Sequence, residues 1–82
     1  MRAEDIRDLL KRQPFVPFRI YMTDGKSYDV MHPELVLLTK SYLNIAVSID
    51  HASGVPDRTD FCALLHIVRV EELRRETSQQ SN

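Results

Sequence analysis

The sequence predicts a mainly β (α+β) domain: a short N-terminal helix followed by five strands in a strongly bent antiparallel barrel. Three features lead there. The apolar period is 3.6 over residues 3–12 and changes to 2 from Phe18 onward. Asp24-Gly25 sits between two alternating runs, a strong short-range hairpin signal. Finally, 82 residues divided into short strands favour closing the sheet, because an open one would leave long edges exposed.

The helix is expected over residues 3–12. Ile6, Leu9 and Leu10 form one narrow apolar stripe at i, i+3, i+4. Glu4 and Asp5 open it and Lys11 and Arg12 close it, in the sense that suits the helix dipole. Pro14 stops it. About ten residues barely hold as a helix in water, so the stripe has to dock on the barrel or on a neighbouring subunit. Pro14-Phe15-Val16-Pro17 then reads as a stiff extended connector.

Phe18, Ile20 and Met22 alternate with Arg19, Tyr21 and Thr23, marking a half-buried first strand. The return strand is expected over residues 26–31, with Tyr28 and Val30 on one face and Ser27 and Asp29 on the other. His32-Pro33-Glu34 interrupts the ladder because proline has no N–H. Residues 26–39 are read as one strand line bent there. After a turn at Lys40-Ser41, Leu43, Ile45, Val47 and Ile49 alternate with Tyr42, Asn44, Ala46 and Ser48, the clearest strand in the chain. Residues 50–60 are polar with Gly54 and Pro56 and read as a long loop. Strands at 61–65 and 68–71 follow, separated by a turn at Leu65-His66-Ile67. Residues 1–73 are thus one domain, and residues 74–82 are expected to be a disordered polar tail.

Composition narrows the function. Eleven basic and 12 acidic residues give a formal charge of −1, without the basic excess of a typical nucleic-acid binder. The N-terminus carries acids where a signal peptide needs an apolar run, no segment reaches membrane-spanning length, and the expected location is the cytoplasm. Cys62 is the only cysteine and lies in the apolar run Phe61-Cys62-Ala63-Leu64-Leu65, where it reads as a small buried hydrophobe. It stands roughly 13 Å from His66 along an extended strand, too far for a catalytic pair.

His32, His51 and His66 show no ligand spacing, so no metal or other cofactor is expected. A metal or catalytic site would have to assemble His32, Glu34 and His66 by folding, whereas a structural bend already accounts for His32-Pro33-Glu34. With two glycines in the chain, a Gly-rich phosphate loop is excluded. No enzymatic role is expected. Arg19 and Tyr21 project outward from the first strand and Arg69 from the last, a modest Arg/Tyr patch to be weighed against an ordinary solvated exterior. The short last strand, alternating Val68 and Val70 with Arg69 and Glu71, offers an edge for self-association.

The order of elements resembles Sm-like and SH3-like barrels. Phe18-Arg19-Ile20-Tyr21-Met22-Thr23-Asp24-Gly25-Lys26 is similar to the opening hairpin of Sm-type proteins, and Leu65-His66-Ile67-Val68-Arg69-Val70 to the turn between their last two strands. In the bacterial RNA chaperones of that class, a histidine near this turn lines a central pore and helps hold uridines. The resemblance therefore implies a ring-forming barrel and an RNA-binding role for Arg19, Tyr21, His66 and Arg69. A second resemblance covers nearly the whole chain. Pro14-Phe15-x-Pro17-Phe18-Arg19-Ile20, Asp24-Gly25, His32-Pro33-Glu34 and Leu64-Leu65-His66-Ile67-x-Arg69-Val70-Glu71 resemble a set of small bacterial proteins, a likeness that implies a shared fold and carries no assigned activity. The function expected is a non-catalytic, homo-oligomeric interaction module with RNA or a protein as a further partner, the alternative being an Sm-like RNA-binding protein.

Overall fold

The computed structural model describes residues 1–50 and 52–74. It is mainly β, with one helix, α1 (Ala3–Lys11), and six strands: β1 (Phe18–Met22), β2 (Ser27–Val30), β3 (Val36–Leu38), β4 (Tyr42–Ile49), β5 (Pro56–Ala63) and β6 (Ile67–Glu72). They form two antiparallel three-stranded sheets, ordered β2-β1-β6 and β3-β4-β5.

α1 begins where Asp5 reaches back to the Arg2 backbone N–H (3.4 Å), satisfying a donor that the first turn leaves free. Ile6 is fully buried, and Leu9 and Leu10 pack half-buried against the core. Arg12 ties the end of the helix to Glu72 on β6 at 2.6 Å. The Gln13–Pro14 peptide is cis.

β1 and β2 are joined by Thr23-Asp24-Gly25. Met22 N–H donates to Lys26 O (2.8 Å), Gly25 N–H donates to Met22 O (3.0 Å), and Asp24 Oδ1 accepts from the Lys26 N–H (2.9 Å). Gly25 has φ +89°, the left-handed conformation that closes three-residue hairpin loops and that glycine adopts without steric cost. β1 is central, pairing Phe18 with Val30 and Glu72, and Ile20 with Tyr28 and Val70. A bulge places Val68 as the extra residue on β6, since Tyr21 faces Arg69 while Met22 faces Ile67.

The expected single line over residues 26–39 is instead two strands in different sheets. Pro33–Leu35 forms a 3₁₀ turn, and the chain passes from β2 in the first sheet to β3 in the second. Leu64–His66 forms a matching 3₁₀ turn between β5 and β6, so the chain returns to the first sheet. The sheets are joined by these corners, and among the described residues no ladder hydrogen bonds connect them into a closed five-stranded barrel. The reason is local: proline at the first corner removes a donor, and the 3₁₀ geometry turns the backbone out of the ladder.

The long loop expected over residues 50–60 is also shorter, because β5 already begins at Pro56. Its polar first half pairs with β4 in the same register as its apolar half, from Ile49↔Pro56 to Tyr42↔Ala63, with the ladder skipping Ser48 and Asp57. Pro56 stands at the first position, where a missing N–H is tolerated. Ser48 has φ +54°, a strained conformation for a residue with a Cβ. His51 and the tail beyond Arg74 lie outside the described residues.

Among the described residues, nine side chains make the core: Ile6 from the helix, Phe18, Ile20, Val30 and Ile67 from the first sheet, Leu43, Ile45 and Cys62 from the second, and Leu64 from the corner. A core this thin gives each member a large share of the stability. Ile6→Ala is expected to cost about 2–5 kcal/mol, measured as a fall in the urea midpoint. A loss under about 0.5 kcal/mol would mean that α1 is not docked as described.

Candidate partner-binding surfaces

The parity that sends Phe18 and Ile20 inward sends Arg19 and Tyr21 outward, and the register decides what they meet. Arg19 lies between Asp29 on β2 and Glu71 on β6, and Tyr21 lies between Ser27 and Arg69. Arg19 grips Asp29 with two hydrogen bonds, Nε to Oδ1 at 2.6 Å and Nη2 to Oδ2 at 3.1 Å. The Tyr21 hydroxyl donates to Glu71 at 2.6 Å. The Arg69 guanidinium lies 4.3 Å from the Tyr21 ring centroid and 3.6 Å from Glu71 Oε1.

Three of the four expected site residues, Arg19, Tyr21 and Arg69, therefore share one face. On it the two arginines are matched by two carboxylates, Asp29 and Glu71. The pairing holds the Asp29 carboxyl below the usual range, chiefly through the Arg19 hydrogen bonds, and holds the Arg19 guanidinium protonated still more firmly than usual. Such a face presents little uncompensated charge to a phosphate backbone. His66 lies apart from these pairings, exposed in the second 3₁₀ turn, where its carbonyl accepts the Thr23 N–H at 2.9 Å and pins the hairpin loop to the corner.

His32 and Glu34 are both exposed at the first corner. His32 borders an open groove of about 660 Å³ with Asp29, Met31, Leu35 and Val47 on its walls. Among the described residues, no three His, Cys, Asp or Glu side chains are grouped to hold a metal.

Between the sheets, the Tyr28 hydroxyl donates to Asp60 Oδ2 at 2.8 Å, a partly buried bond joining β2 to β5, and Arg58 donates to Asp60 Oδ1 at 3.2 Å. The bond to Asp60 and partial burial push the Tyr28 phenol up to about 12. Tyr28 and then Arg58 draw the Asp60 carboxyl down. Burial, with Asp60 and Asp24 nearby, pushes the Cys62 thiol up to about 11, so it is protonated and unreactive near neutrality.

The outer face of the second sheet was not singled out from sequence. β3 and β5 flank β4 so that Leu37, Asn44 and Phe61 stand in one row, with Tyr42 beside Ala63 and Ala46 beside Thr59 in the adjoining rows. None of these seven residues is charged, in a chain that is 28% charged. Tyr42 and Phe61 pack edge to face with centroids 5.2 Å apart. Leu37 and Phe61 are 64% and 68% exposed. Asn44 Oδ1 is buried beneath this surface without a hydrogen-bond donor. Only the parity of Tyr42-x-Asn44-x-Ala46 was available to sequence reasoning, because the β5 half of the patch depends on a strand that begins within the polar stretch.

No family model matches the chain, and neither the curated proteins nor the solved structures yield a match. Among the described residues, no helix is long and apolar enough to cross a membrane.

The Tyr28–Asp60 bond has a defined pH signature. The folded state raises the phenol from its ordinary 10 to about 12, so it favours the fold while protonated. That contribution is complete below pH 10 and is lost as pH rises through 12. The lowered carboxyls of Asp29, Asp60 and Glu72 act oppositely, favouring the fold above the ordinary carboxylate range and losing their contribution as pH falls below it. Phenolate absorbance is expected to show one tyrosine ionising near pH 12, and Tyr28→Phe removes that phase. A late phase that survives the substitution would assign it elsewhere.

Proposed function

We propose that this chain is a non-catalytic interaction module that self-associates, working in the cytoplasm on a bent Sm/SH3-like arrangement of strands. The observation that carries the reading is the exposure of two large apolar side chains, Leu37 (64%) and Phe61 (68%), on the outer face of the second sheet, around a core of nine buried residues among those described. They stand on β3 and β5, the two edge strands of that sheet. Exposed apolar side chains beside unpaired strand edges favour association with another chain. The buried, protonated Cys62 and the dispersed placement of His32 and His66 support the absence of catalysis.

The competing reading is RNA binding through Arg19, Tyr21, His66 and Arg69. The Arg69–Tyr21 stack favours it as a place where a base could lie. Asp29 and Glu71 weigh against it by occupying the arginines.

Two measurements separate these readings. Light scattering on the purified protein is expected to give a mass that rises with concentration above that of the 9.5 kDa chain; a constant monomer mass at high concentration defeats the module reading. Short single-stranded RNA is expected not to bind even at low salt, where electrostatic contacts are strongest. Binding that weakens steeply with added salt would favour the RNA reading instead.

A further inference from the structure

The outer face of the second sheet has a chemistry that narrows its occupant. Its middle row is Leu37, Asn44 and Phe61, one residue from each of β3, β4 and β5. This row and the two beside it, Tyr42 with Ala63 and Ala46 with Thr59, have no charge to steer or register a charged partner, unlike the first sheet, where Arg19, Arg69, Asp29 and Glu71 compensate one another. Its one amide side chain, Asn44, stands at the centre of that row with Oδ1 enclosed and unpaired. A buried acceptor without a donor is destabilising, and an isolated fold gains nothing from retaining it.

A carboxamide carries a donor and an acceptor side by side, so its best complement is an inverted carboxamide. A two-fold axis supplies one, because an isologous interface brings each surface group against its own copy. The Asn χ2 torsion is broad and soft, and the pairing requires the amide to turn so that Oδ1 reaches the surface. Resting on the self-association proposed above, we infer that the occupant of this face is a second copy of the chain. The two sheets stack face to face, with Asn44 paired to Asn44 of the partner subunit and ringed by Leu37, Tyr42 and Phe61. The apolar ring excludes water from the amide pair, and the pair fixes the register of two otherwise featureless surfaces, as a single asparagine does in an apolar helical seam.

The size of the patch sets the strength. Three strands about 4.8 Å apart and five residues at about 3.3 Å each cover roughly 200 Å². This is well below the roughly 800 Å² per partner of a standard stable interface. The dimer is therefore weak and concentration-dependent, formed in the micromolar to millimolar range.

Sedimentation of the full chain over that range tests the inference, with Phe61→Lys, Asn44→Asp and Val68→Lys compared with the parent. Phe61 and Val68 are both exposed, which separates loss of contact from loss of fold, and circular dichroism checks that each variant is folded. Phe61→Lys is expected to weaken association by roughly a hundredfold by placing an ammonium in the apolar ring. Asn44→Asp is expected to weaken it by roughly tenfold or more by opposing two carboxylates. Val68→Lys, at the β6 edge, leaves it unchanged. In the parent protein, the Asn44 side-chain amide resonances shift with concentration.

Association that survives both Phe61→Lys and Asn44→Asp, or that falls as far with Val68→Lys as with Phe61→Lys, overturns this interface and leaves self-association standing. Loss with Phe61→Lys alone, with static Asn44 resonances, overturns the amide pair. A parent protein that stays monomeric at millimolar concentration removes the self-association reading itself.

Discussion

Phe18 and Ile20 on β1 face Leu43 and Ile45 on β4 from opposite sides of one small interior, and the rest of the molecule is arranged around keeping them dry. Each pair belongs to the central strand of its sheet, so burying them fixes which face of each sheet points inward. A one-residue slip on either strand would exchange the core for the exterior, so the parity of these four residues also determines everything displayed to solvent. The helix closes the assembly with Ile6, and Arg12–Glu72 holds its far end against β6.

The two exteriors that result are chemically opposite. On the first sheet, cross-strand neighbours are charged and satisfy one another, so the surface is polar and nearly neutral. On the second sheet, the outward residues from Tyr42 to Ala46 and their cross-strand neighbours are uncharged, and among the described residues Asn44 Oδ1 has no donor. Opposite charges in register stabilise the first sheet in water, whereas the second has more to gain from being covered. This contrast distinguishes the two faces of the molecule. Its cysteine is enclosed, and its described histidines stand at corners where the backbone leaves the ladder.

Those corners explain much of the difference between the expected and observed architecture. His32-Pro33-Glu34 was legible as an interruption, but a sequence does not say whether a strand resumes in the same sheet or crosses to another. The answer depends on whether β3 finds its partner in β4, a contact made by Val36, Leu37 and Leu38 with residues 43–45. Likewise Asp57, Arg58 and Thr59 look like loop residues because their side chains are polar. They are strand because β4 offers an unpaired backbone that extends past the apolar part of β5. Backbone pairing overrides side-chain propensity there.

Local periodicity is legible in the chain alone: a short N-terminal helix with one apolar stripe, the Asp24-Gly25 hairpin, and the inward or outward sense of residues 18–22 and 42–47. These depend on dihedral preferences and on a two-residue repeat, both contained within a few consecutive positions. The tertiary structure decided which strands lie side by side. It set Arg19 against Asp29 and Glu71, Tyr21 against Arg69, and Leu37 and Phe61 around Asn44. Arg19 and Asp29 are 10 positions apart and Tyr21 and Glu71 are 50 apart; such residues meet only through register, and register follows from burying one shared interior, a property of the whole chain and of no single segment.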